Sequence, residues 1–366
     1  MEQEMQDVLN HFQVEGELIG IKPVSLGNIN HTYVVKYREK DQEKRYLLQE
    51  VNHYVFKNPT QVMENIEKVT SFLKEKLKED KKHTTLAFTP TKEGKYLYIT
   101  KEKQYFRLCD FIENSVSYNS TTDTEIVKEA GKAFGNFQKL LADFPIEQLH
   151  EVIPGFHNTA KRYQQFKEDI QKDAVGRVKE VKEEIEFIQK RSDCMNSIYQ
   201  LMEQKKLPIR VTHNDTKLNN VLMKEKTKEY LAVIDLDTIM PGTILFDYGD
   251  GIRATAASVF EDEKDLNKIF LDTSLFEAYT DGYLSEMAKE LTKSEVENMS
   301  FSIPLITLEE CMRFLNDYIN GDTYFKINYP DHNLVRTRNQ MKLLQDIEEK
   351  MPYLTSYIQE TYQKYK

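Results

Sequence analysis

Val211-Thr212-His213-Asn214-Asp215-Thr216-Lys217-Leu218-Asn219-Asn220, followed after a polar turn by Tyr230-Leu231-Ala232-Val233-Ile234-Asp235-Leu236-Asp237, is the stretch on which the reading of this chain turns. Each half is a short apolar strand with acidic side chains at or just beyond its end. The first has the order His-x-Asp with an Asn five residues past the Asp, and the second runs through an apolar stretch into Asp235. Singly, these are ordinary turn and strand-end residues, because Asn and Asp favour such positions. Their combination and spacing are specific.

Phosphoryl transfer asks little covalent help of a protein. It needs an oriented acceptor hydroxyl and a divalent cation to offset charge on the phosphates. Asp215, on the loop after the strand at 209–212, is expected to take the hydroxyl proton and aim its oxygen. Asn220 offers an amide oxygen and Asp235 a carboxylate, the hard oxygen ligands that magnesium prefers. Asp237 either completes that metal site or binds substrate. His213 is expected to pin the loop through backbone hydrogen bonds. Met240-Pro241-Gly242 then leads to Asp247-Tyr248-Gly249-Asp250, a turn with two acids that reads equally as a structural loop or a helix start. Asp247 is expected to support the catalytic loop, and Arg253 and Arg336 are left without assigned partners.

Working outward, residues 19–24, 32–37 and 45–51 carry the short alternating or apolar runs of strands. Residues 60–79 place Val62, Ile66, Val69, Phe72, Leu73 and Leu77 at helical spacing, and 96–100 and 105–108 read as strands again. This order predicts a small α+β lobe. Beyond residue 124 helical periodicity dominates, apart from a β-rich island at 210–237. The predicted architecture is a two-lobed α+β fold, with a nucleotide-binding lobe over 1–112 and a mainly helical catalytic and substrate-binding lobe over 113–366, joined by a crossover at 110–119. Residues 161–190 are highly charged but keep a narrow apolar stripe that includes Tyr163, Phe166, Ile170, Val181, Ile185 and Ile188, which predicts one long helix.

Composition bounds the partners. At 366 residues the chain exceeds the usual size of a single core, which favours two lobes. Its 60 acidic against 50 basic residues, a net charge of −10, do not make the basic footprint that a nucleic-acid backbone requires. Cys109, Cys194 and Cys311 are too far apart for a disulfide framework or a metal-ligand spacing, which fits a reducing cytoplasm. The polar, acidic start Met1-Glu2-Gln3-Glu4 lacks the basic and apolar parts of a secretory signal. No apolar run approaches the roughly 20 residues that cross a bilayer. Neither nucleic acid nor membrane is expected as a partner, and a monomer is the default.

The catalytic stretches resemble the aminoglycoside phosphotransferase and choline kinase superfamily, whose fold is related to that of protein kinases. A narrower resemblance, to the bacterial N-acetylhexosamine 1-kinases, rests on 213–222, 234–250 and 333–338, with Cys311-Met312-Arg313-Phe314-Leu315 and Phe156-His157-Asn158-Thr159. It implies phosphorylation of the anomeric hydroxyl of an N-acetylhexosamine by ATP and Mg2+, giving the sugar 1-phosphate. It also implies that Ser25-Leu26-Gly27-Asn28-Ile29-Asn30-His31-Thr32-Tyr33 covers the phosphates, with Gly27, Asn28 and Asn30 against nucleotide. Related folds place a phosphate-binding lysine on the next-but-one strand, where Arg45-Tyr46-Leu47-Leu48-Gln49 puts Gln49. Arg313, Asp317, Tyr318, Asp322 and Tyr324 share one helix and its exit, and by the resemblance Arg313 and Tyr324 contact the sugar. Two other readings are an aminoglycoside or small-alcohol phosphotransferase on the same fold, and an inactive kinase-like binding module.

Overall fold

Val35 and Tyr37 on one strand and Tyr46 and Leu48 on the next are buried, while Lys36, Arg38, Arg45 and Leu47 between and beside them are not. That period of two is what a sheet with one packed face requires. In the computed structural model, which describes residues 2–24, 29–40 and 42–366, these residues lie on β2 (His31–Glu39) and β3 (Gln42–Glu50). The antiparallel sheet around them runs β1 (Glu17–Val24), β2, β3, β6 (Tyr105–Asp110), β4 (Phe88–Thr89), with β5 (Tyr98–Ile99) also on β6. Its packed face closes on α1 (Glu2–Leu9): Met5, Val8, Leu9 and Phe12 meet Val35, Leu48, Phe106 and Leu108 in a core of their own.

Helix α2 (Pro59–Lys76) starts on an Asn58 cap with proline in its first turn, the arrangement that satisfies the free N–H groups of a helix start. Its apolar face, Val62, Ile66, Val69 and Leu73, joins the large core of the helical region and not the core of the sheet. Asn65, fully buried, ties it there by donating to the carbonyls of His150 at 2.8 Å and Ile239 at 2.9 Å.

The helical region contains β7 (Ser115–Val116), α3 (Thr124–Leu140), α4 (Thr159–Lys172), α5 (Lys182–Gln189) and α6 (Ser197–Glu203). It continues through β8 (Arg210–Thr212), β9 (Val221–Lys224), β10 (Tyr230–Val233), β11 (Met240–Gly242), α7 (Ile244–Thr255), α8 (Thr273–Met287), α9 (Lys293–Ile319) and α10 (His332–Tyr365). The expected α+β class, with a β-sheet N-terminal region and a helical C-terminal region, is the one observed. Helix α7 crosses α9 so closely that a Cβ on Gly249 would lie 2.5 Å from the Ser302 carbonyl oxygen, so glycine is required there. No described helix is long and apolar enough to cross a membrane.

The single helix expected at 161–190 is two. Asp173 closes α4 in the left-handed conformation (φ 42°), and Gly176 is also left-handed (φ 73°). The apolar stripe continues across this turn because Phe166, Val181, Ile185 and Ile188 pack on Leu308, Met312 and Leu315 of α9. The packing partner is continuous where the helix is not.

Candidate active site

Two antiparallel strands set the site. β8 pairs with β11, Thr212 opposite Met240, and each borders a loop that carries acids, 213–216 after β8 and 235–238 before β11. The loops are stitched together: Asn214 Nδ2 donates to the Thr238 carbonyl at 2.8 Å, and Thr238 Oγ1 donates to the His213 carbonyl at 2.6 Å. His213 Nε2 donates to the Ile234 carbonyl at 2.8 Å while its Nδ1 accepts from the Asp215 backbone N–H at 3.3 Å. Both ring nitrogens are therefore engaged in holding backbone.

Two acids on α7, one turn apart, anchor the 213–216 loop from behind. The buried Asp247 carboxylate accepts from the backbone N–H groups of His213 at 2.9 Å and Asn214 at 2.7 Å, and from the Gln138 side chain. Burial still leaves its pKa raised, against the pull of His213 and the two backbone donors. Asp250 accepts from the Thr216 N–H at 3.0 Å and is paired at 2.8 Å with Arg253, which also meets Glu261. Arg336, the other arginine without an expected partner, donates to the Lys326 carbonyl and the Asn333 side chain, away from these acids.

Asp215 and Asp235 belong to one electrostatic neighbourhood. Burial raises the Asp235 carboxyl first, and the negative charges of Asp237 and Asp215 raise it further, to about 7, against the opposing pull of Arg107 and Lys217. Its side chain is nevertheless open to solvent, as a cleft residue is, and its backbone is left-handed (φ 60°). Burial also pushes Asp215 upward, but the Lys217 ammonium at 2.8 Å and the Asn220 amide outweigh it and hold the carboxyl below its ordinary value. Asp215 is thus ionised at neutral pH. Asn220 spends its amide nitrogen on Asp215, 2.8 Å to the carbonyl and 3.1 Å to Oδ2, which leaves its amide oxygen as the end free to meet a cation.

Asp237 is spoken for. One of its oxygens is bound by Arg107 NH1, and the other accepts from Asn30 Nδ2 at 2.6 Å. Arg107 lies opposite Gln49 in the β3–β6 register and donates through Nε to Gln49 Oε1 at 2.9 Å. Arg107 and Asp237 are each 3% exposed. Gln49, Asn30, Arg107 and Asp237 form one network from the sheet to the acid-bearing loop. Gly27 and Asn28 lie outside the described residues.

On α9, Arg313 pairs with Glu310 at 2.6 Å and sits among the rings of Phe156, Phe325 and Tyr324, with centroids 5.3, 5.4 and 5.9 Å from its guanidinium carbon. Tyr324 is 52% exposed. The expected shared face of Arg313 and Asp317 does not bring the two together. Asp317 instead accepts from the backbone N–H groups of Thr323, Tyr324 and Phe325 at 2.8–2.9 Å and so shapes the loop that presents those rings. Asp322 holds Arg177 and Asn333, and Tyr318 is buried in the α4–α9 core. Phe156 is fixed by its neighbour His157, whose Nδ1 lies 2.8 Å from the buried Glu309.

Sequence reasoning passed over Lys217 and Arg107. Lys217 stood in the decisive stretch itself, two residues past Asp215. Arg107 had a quieter signal, a lone arginine inside the buried run Phe106-Arg107-Leu108-Cys109, and an arginine is seldom buried without a partner.

The β-sheet N-terminal region and the helical C-terminal region together match a protein-kinase-like fold. A sequence profile of the phosphotransferase enzyme family matches residues 20–289, and the chain belongs to that family. Solved structures with the same fold include a microcompartment-associated aminopropanol kinase, 15% identical with a TM-score of 0.61, covering 97% of this chain and 99% of that one. A spectinomycin phosphotransferase in complex with ADP and spectinomycin is 13% identical at TM-score 0.58, covering 96% and 98%. Choline kinase from Cryptosporidium parvum is 14% identical at 0.57, covering 98% and 99%.

Proposed function

We propose that this chain is an ATP-dependent kinase that phosphorylates the anomeric hydroxyl of an N-acetylhexosamine, with nucleotide held by residues 1–112 and the sugar by 113–366. The observation that carries the phosphotransfer reading is the Asn220 hydrogen bond to Asp215 beside Asp235, whose carboxyl feels the Asp215 charge. Asp215, ionised and oriented by Asn220, accepts the acceptor's proton as its oxygen approaches phosphorus. The Asn220 amide oxygen and the Asp235 carboxylate suit magnesium, and the repulsion that Asp235 feels from Asp237 and Asp215 is what a divalent cation relieves. When bound, magnesium supplies positive charge that offsets the phosphates.

The choice of acceptor is supported by how the cleft's acids are matched. Glu310 is paired with Arg313, Asp250 and Glu261 with Arg253, and Asp215 with Lys217. An ammonium headgroup gains most from an unpaired acid, whereas a neutral sugar uses paired donors and acceptors together with ring faces, as Arg313, Glu310, Tyr324 and Phe156 offer. This favours the N-acetylhexosamine over choline, ethanolamine, aminopropanol or an aminoglycoside.

The test is ADP release with ATP and magnesium across N-acetylglucosamine, N-acetylgalactosamine and those cationic alcohols, with the product position read by phosphorus NMR. Sugar 1-phosphate is the expected product. Turnover of a cationic alcohol with neither sugar used would overturn the acceptor and keep the kinase. No turnover of any acceptor, with nucleotide still bound, would favour a binding module.

A further inference from the structure

By the resemblance, the strand position that carries a phosphate-binding lysine in related folds falls on Gln49, which has no charge to give. The amide is nevertheless not idle. Residues opposite one another on antiparallel strands point to the same face, and opposite Gln49 stands Arg107, whose Nε donates to the Gln49 amide oxygen at 2.9 Å. Gln49 Nε2 is turned toward Thr32 Oγ1 at 3.4 Å, so its oxygen is the end aimed at the arginine. We propose that Arg107 supplies from β6 the phosphate-countering charge missing from β3, exchanging its partner Asp237 for the nucleotide's inner phosphates. The proposal rests on the nucleotide reading of the cleft given above.

Three further observations support it. First, Arg107 is within reach of the acid-bearing loop: it binds Asp237, two residues past Asp235. Second, the other oxygen of Asp237 accepts from Asn30, the residue before β2, so the same acid connects the arginine to the start of that strand. Third, the nearby cations have other posts. Lys36 faces Glu43, Arg45 pairs with Glu113 and stacks on Phe111, and Lys217 is bound to Asp215. A guanidinium suits the exchange because its five N–H donors let it keep Gln49 through Nε while its terminal nitrogens change partner. The move also frees an Asp237 oxygen beside Asp235, where positive charge is wanted.

The experiment measures dissociation constants for ADP and for adenosine by calorimetry, in EDTA so that no metal enters the comparison. Wild type is set against Arg107→Met, Arg107→Lys and the double variant Gln49→Lys/Arg107→Met, which moves the charge back to β3. Arg107→Met is expected to weaken ADP by about 10- to 100-fold, the scale of a charge-assisted hydrogen bond, with adenosine changed by less than about 3-fold. Arg107→Lys and the charge-transplant variant are expected to recover most of the loss. Because Arg107→Met leaves Asp237 buried without its partner, Arg107→Met/Asp237→Asn is measured alongside, and the same ADP-selective loss is expected of it. Equal losses for ADP and adenosine, or none for either, would show that Arg107 is a structural clasp only and overturn the proposal. Failure of wild type to bind ADP or adenosine would remove the nucleotide reading of the cleft as well, so the two failures are distinct.

Discussion

The two acid-bearing loops that meet at the floor of the cleft are held in opposite ways. Loop 213–216 is overdetermined: Asp247 and Asp250 satisfy its backbone N–H groups, His213 bridges to Ile234, and Lys217 neutralises Asp215. Loop 235–238 is the reverse, with Asp235 in a left-handed conformation beside two like charges and Asp237 quieted, among the described residues, by Arg107 and Asn30. On the function proposed above, the contrast teaches that Asp215 is held by the chain's own groups, whereas Asp235 carries a repulsion that a cation would offset.

The largest effect should come from the finished loop. Asp215→Asn keeps shape but removes the proton acceptor, and kcat is expected to fall by at least about 1,000-fold with ADP affinity nearly unchanged. A comparable loss of ADP affinity would show that Asp215 chiefly shapes the nucleotide site. Asp247→Ala deprives two buried N–H groups of their acceptor, and should lower unfolding free energy by about 3 kcal/mol, read from a urea midpoint. An unchanged midpoint would mean that the loop is not held from α7.

Glu309→Gln probes the support behind Phe156. Burial pushes the Glu309 carboxyl up, yet His157, Arg162 and Thr159 prevail and hold it down at about 2. A carboxylate depressed on folding stabilises above its unfolded pKa of about 4.3, and that contribution is lost as pH falls through the folded value. The variant should cost about 2 kcal/mol at neutral pH, with the gap to wild type narrowing below about pH 4. A gap independent of pH would remove the charge from the explanation. The smallest effect should have the opposite sign. At pH 8, Asp235→Asn relieves repulsion and should raise the melting temperature measured in EDTA by about 1–2 °C, while abolishing turnover assayed with magnesium. A lower melting temperature would mean that Asp235 is not held against its neighbours.

What could be read in the sequence follows from how local the cause is. Asp215, Asn220 and Asp235 were visible because spacing on one chain segment encodes their loops, and the sheet was visible because burial alternates along each strand. Arg107 and Asp237 are 130 residues apart, and Glu309 and His157 are 152 apart, so their meeting depends on how whole elements pack. The break at Asp173 was hidden because its local turn lies within an apolar stripe that both helices share against α9. The capping of residues 323–325 by Asp317 was masked by helical spacing, which placed Asp317 beside Arg313.

Helix α2 is chained to the sheet by sequence and to the opposite half by its side chains. Asn65 and the face from Val62 to Leu73 moor it to the larger body, while the sheet and α1 keep a separate interior. A change on that face of α2 is therefore felt in the larger core and not in the interior of the sheet.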